Sequence, residues 1–306
     1  MRLWDPHFHI WDVSDRTWSG HDPSQLFAPH GHPIYSLADF ENDLAIGGFE
    51  LTGGVCVEAI SVCHVGREGV EFSSACLSEA QWVLNQLSSS ERVYWMVASA
   101  PLENPNLLQI LSALSRSPAV CGVRQILNYE PSWPRNKRLG NLLDNRKWIE
   151  GYHVLEDFSL SFDLQINPGQ FQRAVQLAAD HPRTPVIIEH LGCPTLRDLR
   201  DEQVYWEGMK AFADLEYVSI KLSMLSYSDP KWLDNALVKD AVLRVIELFG
   251  VDRCCFASNC PVEGEFGWTP ERLYREFLEL TRSMSEVDRQ KLFADSGRRI
   301  YCKKRE

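Results

Sequence analysis

The densest chemistry in this sequence begins at its fifth residue, in Asp5-Pro6-His7-Phe8-His9. In an extended chain residues i and i+2 point to one side, so His7 and His9 project together while Phe8 turns the other way. Two neighbouring imidazoles can grip a divalent metal such as zinc, or form a hydrogen-bonded polar pair at the mouth of a fold. A third imidazole, His190, ends the apolar run Val186-Ile187-Ile188-Glu189, with Gly192 and Pro194 turning the chain just beyond. It reads as a functional group at a strand tip, and alternation then turns Glu189 away from it. In Ser161-Phe162-Asp163-Leu164-Gln165-Ile166 apolar and polar residues alternate, which puts Asp163 and Gln165 on one face. An unpaired buried polar group costs about 1–3 kcal/mol, so these two either line a pocket or plug a core with partners.

Single charges interrupt three other apolar runs: Glu58 in Val55-Cys56-Val57-Glu58-Ala59, Arg124 in Gly122-Val123-Arg124-Gln125-Ile126, and Lys221 in Ser219-Ile220-Lys221-Leu222-Ser223. Charges are almost never fully buried unless paired. Each alone reads as an ion pair; together they read as a shared polar pocket whose cations, Arg124 and Lys221, suit an anionic or carbonyl-bearing substrate. The basic stretch Arg135-Asn136-Lys137-Arg138 either adds carboxylate contacts or is a solvated loop, and Trp18, Trp133 and Trp268 fall in loops that fit sugars, aromatics or plain packing. At the far end lies Phe256-Ala257-Ser258-Asn259-Cys260-Pro261-Val262-Glu263. The Asn259 amide can orient a ligand but cannot take a proton from water. Glu263 can act as a base if its turn folds inward; otherwise it is a surface carboxylate. No Gly-x-Ser-x-Gly elbow, His-Glu-x-x-His helix, EF-hand loop, P-loop or Gly-x-Gly-x-x-Gly after a strand competes with this set, and no cysteine sits in a Cys/His catalytic pattern.

The elements that must position these residues recur regularly. Short β-branched or apolar runs cover residues 3–10, 53–60, 93–100, 120–127, 160–166, 185–190, 217–223 and 253–259. Amphipathic stretches lie between them, such as 235–249, where Leu237, Val238, Ala241, Val242, Val245, Ile246 and Phe249 keep the 3.6 period. Asn167-Pro168 and Thr269-Pro270 read as capped helix starts. Eight alternating units predict an α/β fold, a (β/α)8 TIM-type barrel of one domain over 1–306, with extra C-terminal helices at 269–281 and 285–301; an open doubly wound sheet is the alternative. The long connections 11–36 and 128–148 follow strands and so would sit over the face where barrels build their sites.

Composition limits the function classes. The 306 residues carry 31 Lys plus Arg against 42 Asp plus Glu, a net charge of −11, which argues against a nucleic-acid or anionic-membrane surface. No run of about 18 uncharged apolar residues predicts a spanning helix, and the start, Met1-Arg2-Leu3-Trp4-Asp5, resembles neither a signal nor a transit peptide. Nine cysteines without a Cys-x-x-Cys pair read as reduced, buried thiols, hence a cytoplasmic protein; a homo-oligomer is compatible with all of this.

Taken in order, the motifs resemble the amidohydrolase superfamily, in particular its amidohydrolase-2 branch of sugar-acid and dicarboxylate lactonases. The resemblance runs from Asp5-Pro6-His7-Phe8-His9-Ile10-Trp11-Asp12 through Glu58, Gly122-Val123-Arg124-Gln125, Trp148-x-x-Gly151-Tyr152 and Asp163-Leu164-Gln165. It continues with Glu189-His190-Leu191-Gly192-x-Pro194 and Lys221-Leu222-Ser223, and ends at Phe256-Ala257-Ser258-Asn259-Cys260-Pro261. It implies a barrel with its site at the strand C-termini, hydrolysis of a lactone as the leading activity, and His7, His9 and His190 as the metal-site residues. Zinc is the implied metal, although some members work without one. His190, Asn259, Glu263 and Lys221 are then the catalytic candidates, and Glu58, Arg124, Asp163 and Gln165 the substrate-binding ones. Two departures stand out: Gln165 replaces a fifth-strand metal-ligating His, and Asn259 replaces the eighth-strand Asp that activates water. The rival readings are a non-oxidative decarboxylase of the same superfamily and a non-catalytic binding protein on the same scaffold.

Overall fold

The computed structural model describes residues 1–14, 32–59, 69–133, 136 and 140–302. Trp18, Arg135, Lys137 and Arg138 lie outside the described residues. Among the described residues eight strands form one sheet, β1 (Arg2–Phe8), β2 (Glu50–Val57), β3 (Val93–Ser99), β4 (Val120–Ile126), β5 (Ser161–Gln165), β6 (Val186–Ile188), β7 (Val218–Leu222) and β8 (Cys254–Phe256), and the short segments Trp11–Asp12 and Ile34–Tyr35 pair antiparallel outside it. Each of the eight pairs in parallel with its sequence neighbours. The two ends meet where Phe8 bridges Cys260, the His9 N–H donates to the Cys260 carbonyl at 2.8 Å, and the Asn259 N–H donates to the His7 carbonyl at 2.9 Å. The chain is therefore a TIM-type (β/α)8 barrel, as its alternating pattern predicts.

A helix follows every strand: Leu37–Asp43, Gly69–Leu87, Leu107–Leu114, Arg146–His153, Phe171–Asp180, Glu207–Ala213, Ala236–Phe249 and Pro270–Leu280. The last of these completes the eighth unit, so the true addition is the helical run from Glu286 to Cys302. Local chemistry starts these helices where predicted. Asn167 and Gln170 form a reciprocal cap around Pro168, and the Thr269 hydroxyl accepts the Arg272 N–H at 3.3 Å behind Pro270.

Outward strand residues such as Phe8, Phe162, Leu164, Ile188, Leu222 and Phe256 make the core with the helices; Phe8 stacks on Phe40 at 3.7 Å and Phe256 on Phe277 at 4.2 Å. Inside the barrel the lower layer is apolar, built from Trp4, Val55, Val97 and Ile187, and the C-terminal run inserts Ala294 and Tyr301 beneath it. Among the described residues Cys56, Cys76, Cys193, Cys254, Cys255 and Cys260 are buried free thiols, and no helix is long and apolar enough to cross a membrane.

Candidate functional site

Two irregularities in the β1–β2 pairing, at Leu3/Trp4 and Asp5/Phe8, aim the first strand. Asp5 sets the second: its Oδ1 accepts the His7 N–H at 3.1 Å and the Ser258 N–H at 3.2 Å, which ties β1 to the chain beyond β8. Bulges of this kind re-aim side chains. Trp4 consequently fills the lower lumen, while His7 and His9 point into the chamber above it. Burial pushes the Asp5 carboxyl up to about 6, against the lowering pull of its hydrogen bonds to Ser258 and His7.

The three predicted imidazoles meet. The Nε2 atoms of His7 and His9 lie 3.1 Å apart, and the rings of His7 and His190 are 4.7 Å apart between centres. His9 Nδ1 lies 2.9 Å from the Val57 carbonyl, which only accepts, so the proton sits on Nδ1 and the lone pair on Nε2. His7 Nδ1 faces the Glu189 carboxylate at 3.0 Å, and His190 Nδ1 faces the Ser223 hydroxyl at 2.9 Å. Asn259 Oδ1 stands 3.2 Å from His9 Nε2. Burial drives all three imidazoles to the neutral form: His7 well below its usual value, His9 down to about 4 with Arg124 adding to the effect, and His190 down to about 3.

Beneath them lies a buried ion network. Arg124 donates from Nε to Glu58 Oε1 at 2.8 Å, from Nη1 to Glu189 Oε2 at 2.9 Å and to Gln165 Oε1 at 3.1 Å, and from Nη2 to the Glu58 carbonyl at 2.7 Å. Lys221 Nζ reaches Asp163 Oδ2 at 2.6 Å, His7 Nδ1 at 3.2 Å and Glu189 Oε1 at 3.4 Å. Burial works against the Lys221 charge, but Asp163 and Glu189 outweigh it and hold the ammonium above its ordinary value. Burial likewise opposes ionisation of Glu189, and Arg124, His7 and Lys221 overcome it to keep the carboxylate well below its usual range.

His7, His9, Glu58, Arg124, Asp163, Gln165, His190, Lys221, Asn259 and Glu263 are all buried, on the strands or in the chain that follows them. Three corrections follow. Glu189 does not turn away: it continues the inward alternation of Ile187, and His190 joins it because its backbone is left-handed, with φ 57°. Arg124 and Lys221 do not present a cationic face to a substrate, because their donors are engaged by Glu58, Gln165, Glu189, Asp163 and His7. Trp268 is buried on Trp232 at 4.9 Å and packs rather than lining a pocket. Glu263 is not a surface carboxylate: it is buried on the turn Val262–Phe266, one turn beyond Asn259, and burial pushes its carboxyl up to about 7, against the lowering effect of Ser226.

Sequence reading overlooked Asp5 and Ser223, although Asp5 belongs to the same short motif as the His pair. It also had no way to see the backbone at the strand tips. His190, Met224 and Asn259, after β6, β7 and β8, adopt left-handed conformations with φ near 50° to 57°. Such backbone costs of order 1–3 kcal/mol per residue and gathers where function over-determines it.

A (β/α)8 barrel with polar groups converging at its strand C-termini is the architecture in which barrel enzymes build their sites. The chain belongs to the amidohydrolase family, whose model, of the amidohydrolase-2 type, matches residues 4–302. It is 25% identical over 308 residues to the uncharacterized protein y4mH of Sinorhizobium fredii, covering 97% of each chain. It is 23% identical over 268 residues to L-fucono-1,5-lactonase of Burkholderia ambifaria, covering 86% of this chain and 82% of the relative.

Among solved structures, an amidohydrolase from Burkholderia multivorans with bound HEPES superimposes with a TM-score of 0.75 at 19% identity, covering 99% of both chains; a crystal form with bound zinc gives 0.73 at 18% and the same coverage. A putative 2-pyrone-4,6-dicarboxylic acid hydrolase from Pseudomonas putida gives 0.69 at 18%, covering 99% of this chain and 98% of that one. 2,6-Dihydroxybenzoate decarboxylase gives 0.65 at 13%, covering 98% of this chain and 100% of that one. At these identities the structural likenesses carry the fold.

Proposed function

We propose that this protein is a hydrolase that opens a cyclic ester, a lactone of a sugar acid or cyclic carboxylic acid, with a divalent metal held by His7, His9 and His190. The observation that carries the metal reading is the convergence of acceptors. The lone pair of His9 Nε2 faces His7 Nε2 at 3.1 Å and Asn259 Oδ1 at 3.2 Å, an arrangement that repels itself unless a cation or a proton sits among the three. The network below has two cations, Arg124 and Lys221, against three carboxylates, Glu58, Asp163 and Glu189, so the chamber also favours added positive charge. His7, Glu189 and His190 offer ligand atoms within 4.8 Å of one another. His9 is preferred to Glu189 as the third ligand, because both Glu189 oxygens already serve Arg124, His7 and Lys221. A neutral set of three imidazoles suits zinc, which would supply Lewis-acid polarisation of an ester carbonyl and of water.

The chain's own residues do the rest. Glu263, with its carboxyl near neutrality, is the group suited to accept a proton from water, because general bases work best near the operating pH. His190 sits too low for that task and acts through its lone pair instead. Asn259 orients water or substrate by its amide. Arg124 and Lys221 hold Glu189, and Glu189 holds His7. Glu58, Asp163 and Gln165 complete that scaffold from below the substrate.

The test is a proton-release screen of the zinc-reconstituted protein against sugar lactones and cyclic dicarboxylate lactones, with elemental analysis of the same samples. Turnover of one class with about one zinc per chain is the expected outcome. Asn259→Asp, which restores an ionisable base beside His9, should raise the rate several-fold. Carbon dioxide release from an aromatic acid without lactone opening would instead identify a decarboxylase, and stabilisation by a lactone without turnover a binding protein.

A further inference from the structure

One buried oxygen above the ion network has no protein partner, and its surroundings fix what it can bind. Along β4 and just past it the inward positions run from Arg124 through Ile126 to Asn128, while Leu127 between them packs outward into the core shared with the helices. Asn128 is buried, and its Nδ2 donates to Asn167 Oδ1, just past β5, at 2.6 Å. The Cys193 thiol, in the chain that follows β6, stands beside the same amide. Asn128 thus joins the ends of three strands whose lower residues, Arg124, Gln165 and Glu189, belong to the ion network.

Which way the Asn128 amide faces is settled by its neighbours. Asn167 donates from Nδ2 to the Tyr129 carbonyl at 3.2 Å, and a carbonyl only accepts, so the other terminal atom of Asn167 is its oxygen. That oxygen needs a donor, which makes the Asn128 atom facing it the nitrogen and leaves Asn128 Oδ1 on the opposite side. Gln170 holds the arrangement from behind. Its Oε1 accepts the N–H groups of Tyr129 at 3.1 Å and Asn167 at 3.0 Å, and its Nε2 donates to the Leu127 carbonyl at 2.9 Å. Asn128 Oδ1 is buried and completes no hydrogen bond; the Cys193 S–H beside the amide is a weak donor and makes none to it. A rigid, buried and unmet acceptor selects for a donor on a ligand and against a further acceptor.

We propose that Asn128 is a specificity residue that reads a substrate hydroxyl, its Oδ1 accepting the O–H of a hydroxylated lactone ring. An ionised cyclic dicarboxylate, whose carboxylates only accept, is disfavoured at that position. The inference rests on the lactone-hydrolase reading for the identity of the ring, and its test separates the two. Hexonolactones of differing configuration are each compared with the analogue lacking one ring hydroxyl, in wild type and in Asn128→Leu. The comparison is read as kcat/KM of the zinc-reconstituted proteins and as calorimetric binding to the metal-stripped ones. At one hydroxyl the wild type should favour the hydroxylated partner by about tenfold to a hundredfold. Asn128→Leu should erase that preference while preferences at the other hydroxyls persist. Asn167→Leu, which leaves the reading amide in place but frees it to turn, should weaken the same preference, and it carries the comparison alone if Asn128→Leu does not fold. The proposal is overturned if every preference survives in the folded variants, or if the wild type neither binds nor opens any hydroxylated lactone. Turnover of a cyclic dicarboxylate lactone alone overturns it while keeping the hydrolase. Hydroxyl-selective binding that depends on Asn128 but comes without turnover keeps it and removes the hydrolase reading instead.

Discussion

Glu263 is the residue whose surroundings most clearly separate a structural from a functional carboxylate. A surface carboxylate would be solvated; Glu263 is buried, neither of its oxygens completes a well-formed hydrogen bond, and the Ser226 hydroxyl beside it is likewise unsatisfied. With a folded pKa of about 7 against 4.5 when solvated, the folded state binds the proton more tightly than the unfolded chain does. The contribution to stability is therefore full below pH 4.5 and is lost as pH rises towards 7. Glu263→Gln removes that loss. Urea unfolding at pH 4 and pH 8 should show the variant gaining on wild type at the higher pH. The gain is about 3 kcal/mol as an upper figure, because a tenfold change in proton affinity is worth roughly 1.4 kcal/mol. The same substitution should abolish the rise of lactone hydrolysis near neutral pH. A stability gap that stays constant between the two pH values would remove Glu263 as a buried base.

The strands carry these groups because two of them approach more closely than side chains allow. A Cβ on Gly54 would lie 2.2 Å from the Asp5 carbonyl oxygen and 3.3 Å from the Phe8 ring, at the point where Asp5 bends β1 towards the chamber. Gly54→Ala should thus prise β1 from β2 and lower stability by about 3 kcal/mol, as overpacked sites do. Gly47→Ala, where a Cβ meets nothing within 4 Å, is the control expected to be near neutral in the same denaturant titration. How much of the site is legible in the sequence follows from the same geometry. The eight strands are legible because each is an apolar run of the right length, and His7 and His9 because alternation holds on the upper part of β1. Glu189 misleads because alternation alone makes it the opposite of His190, whereas the left-handed backbone at His190 brings both inward. The pocket cations mislead for another reason: a lone Arg or Lys in a strand reveals its charge but not its partners, and the partners of Arg124 lie 41 to 66 residues away. Tyr301 is less legible still, since its bond to Asp163 spans 138 positions and rests on how the last helix docks.

At the scale of the whole molecule, Arg124 ties distant parts of the barrel to one another. From β4 its guanidinium reaches Glu58 just past β2, Gln165 on β5 and Glu189 just past β6. Burial disfavours its charge, but Glu189 and Glu58 hold the guanidinium firmly protonated. Removing one partner of such a buried network leaves charges without compensation and costs about 3–5 kcal/mol, a large share of the roughly 5–15 kcal/mol that keeps a protein folded. Arg124→Met should lower unfolding stability in urea by that amount and weaken zinc binding together, because Glu189 loses the group that steadies it beneath His7. The triple variant Arg124→Met, Glu58→Gln, Glu189→Gln distinguishes the two roles. Without the stranded carboxylates it should regain most of the lost stability, since apolar or neutral replacements of buried ion sets are often tolerated. It should not regain zinc binding, because His7 Nδ1 no longer has a carboxylate partner. Recovery of both properties would mean that the ion network supports the barrel alone and that the imidazoles find their arrangement without it.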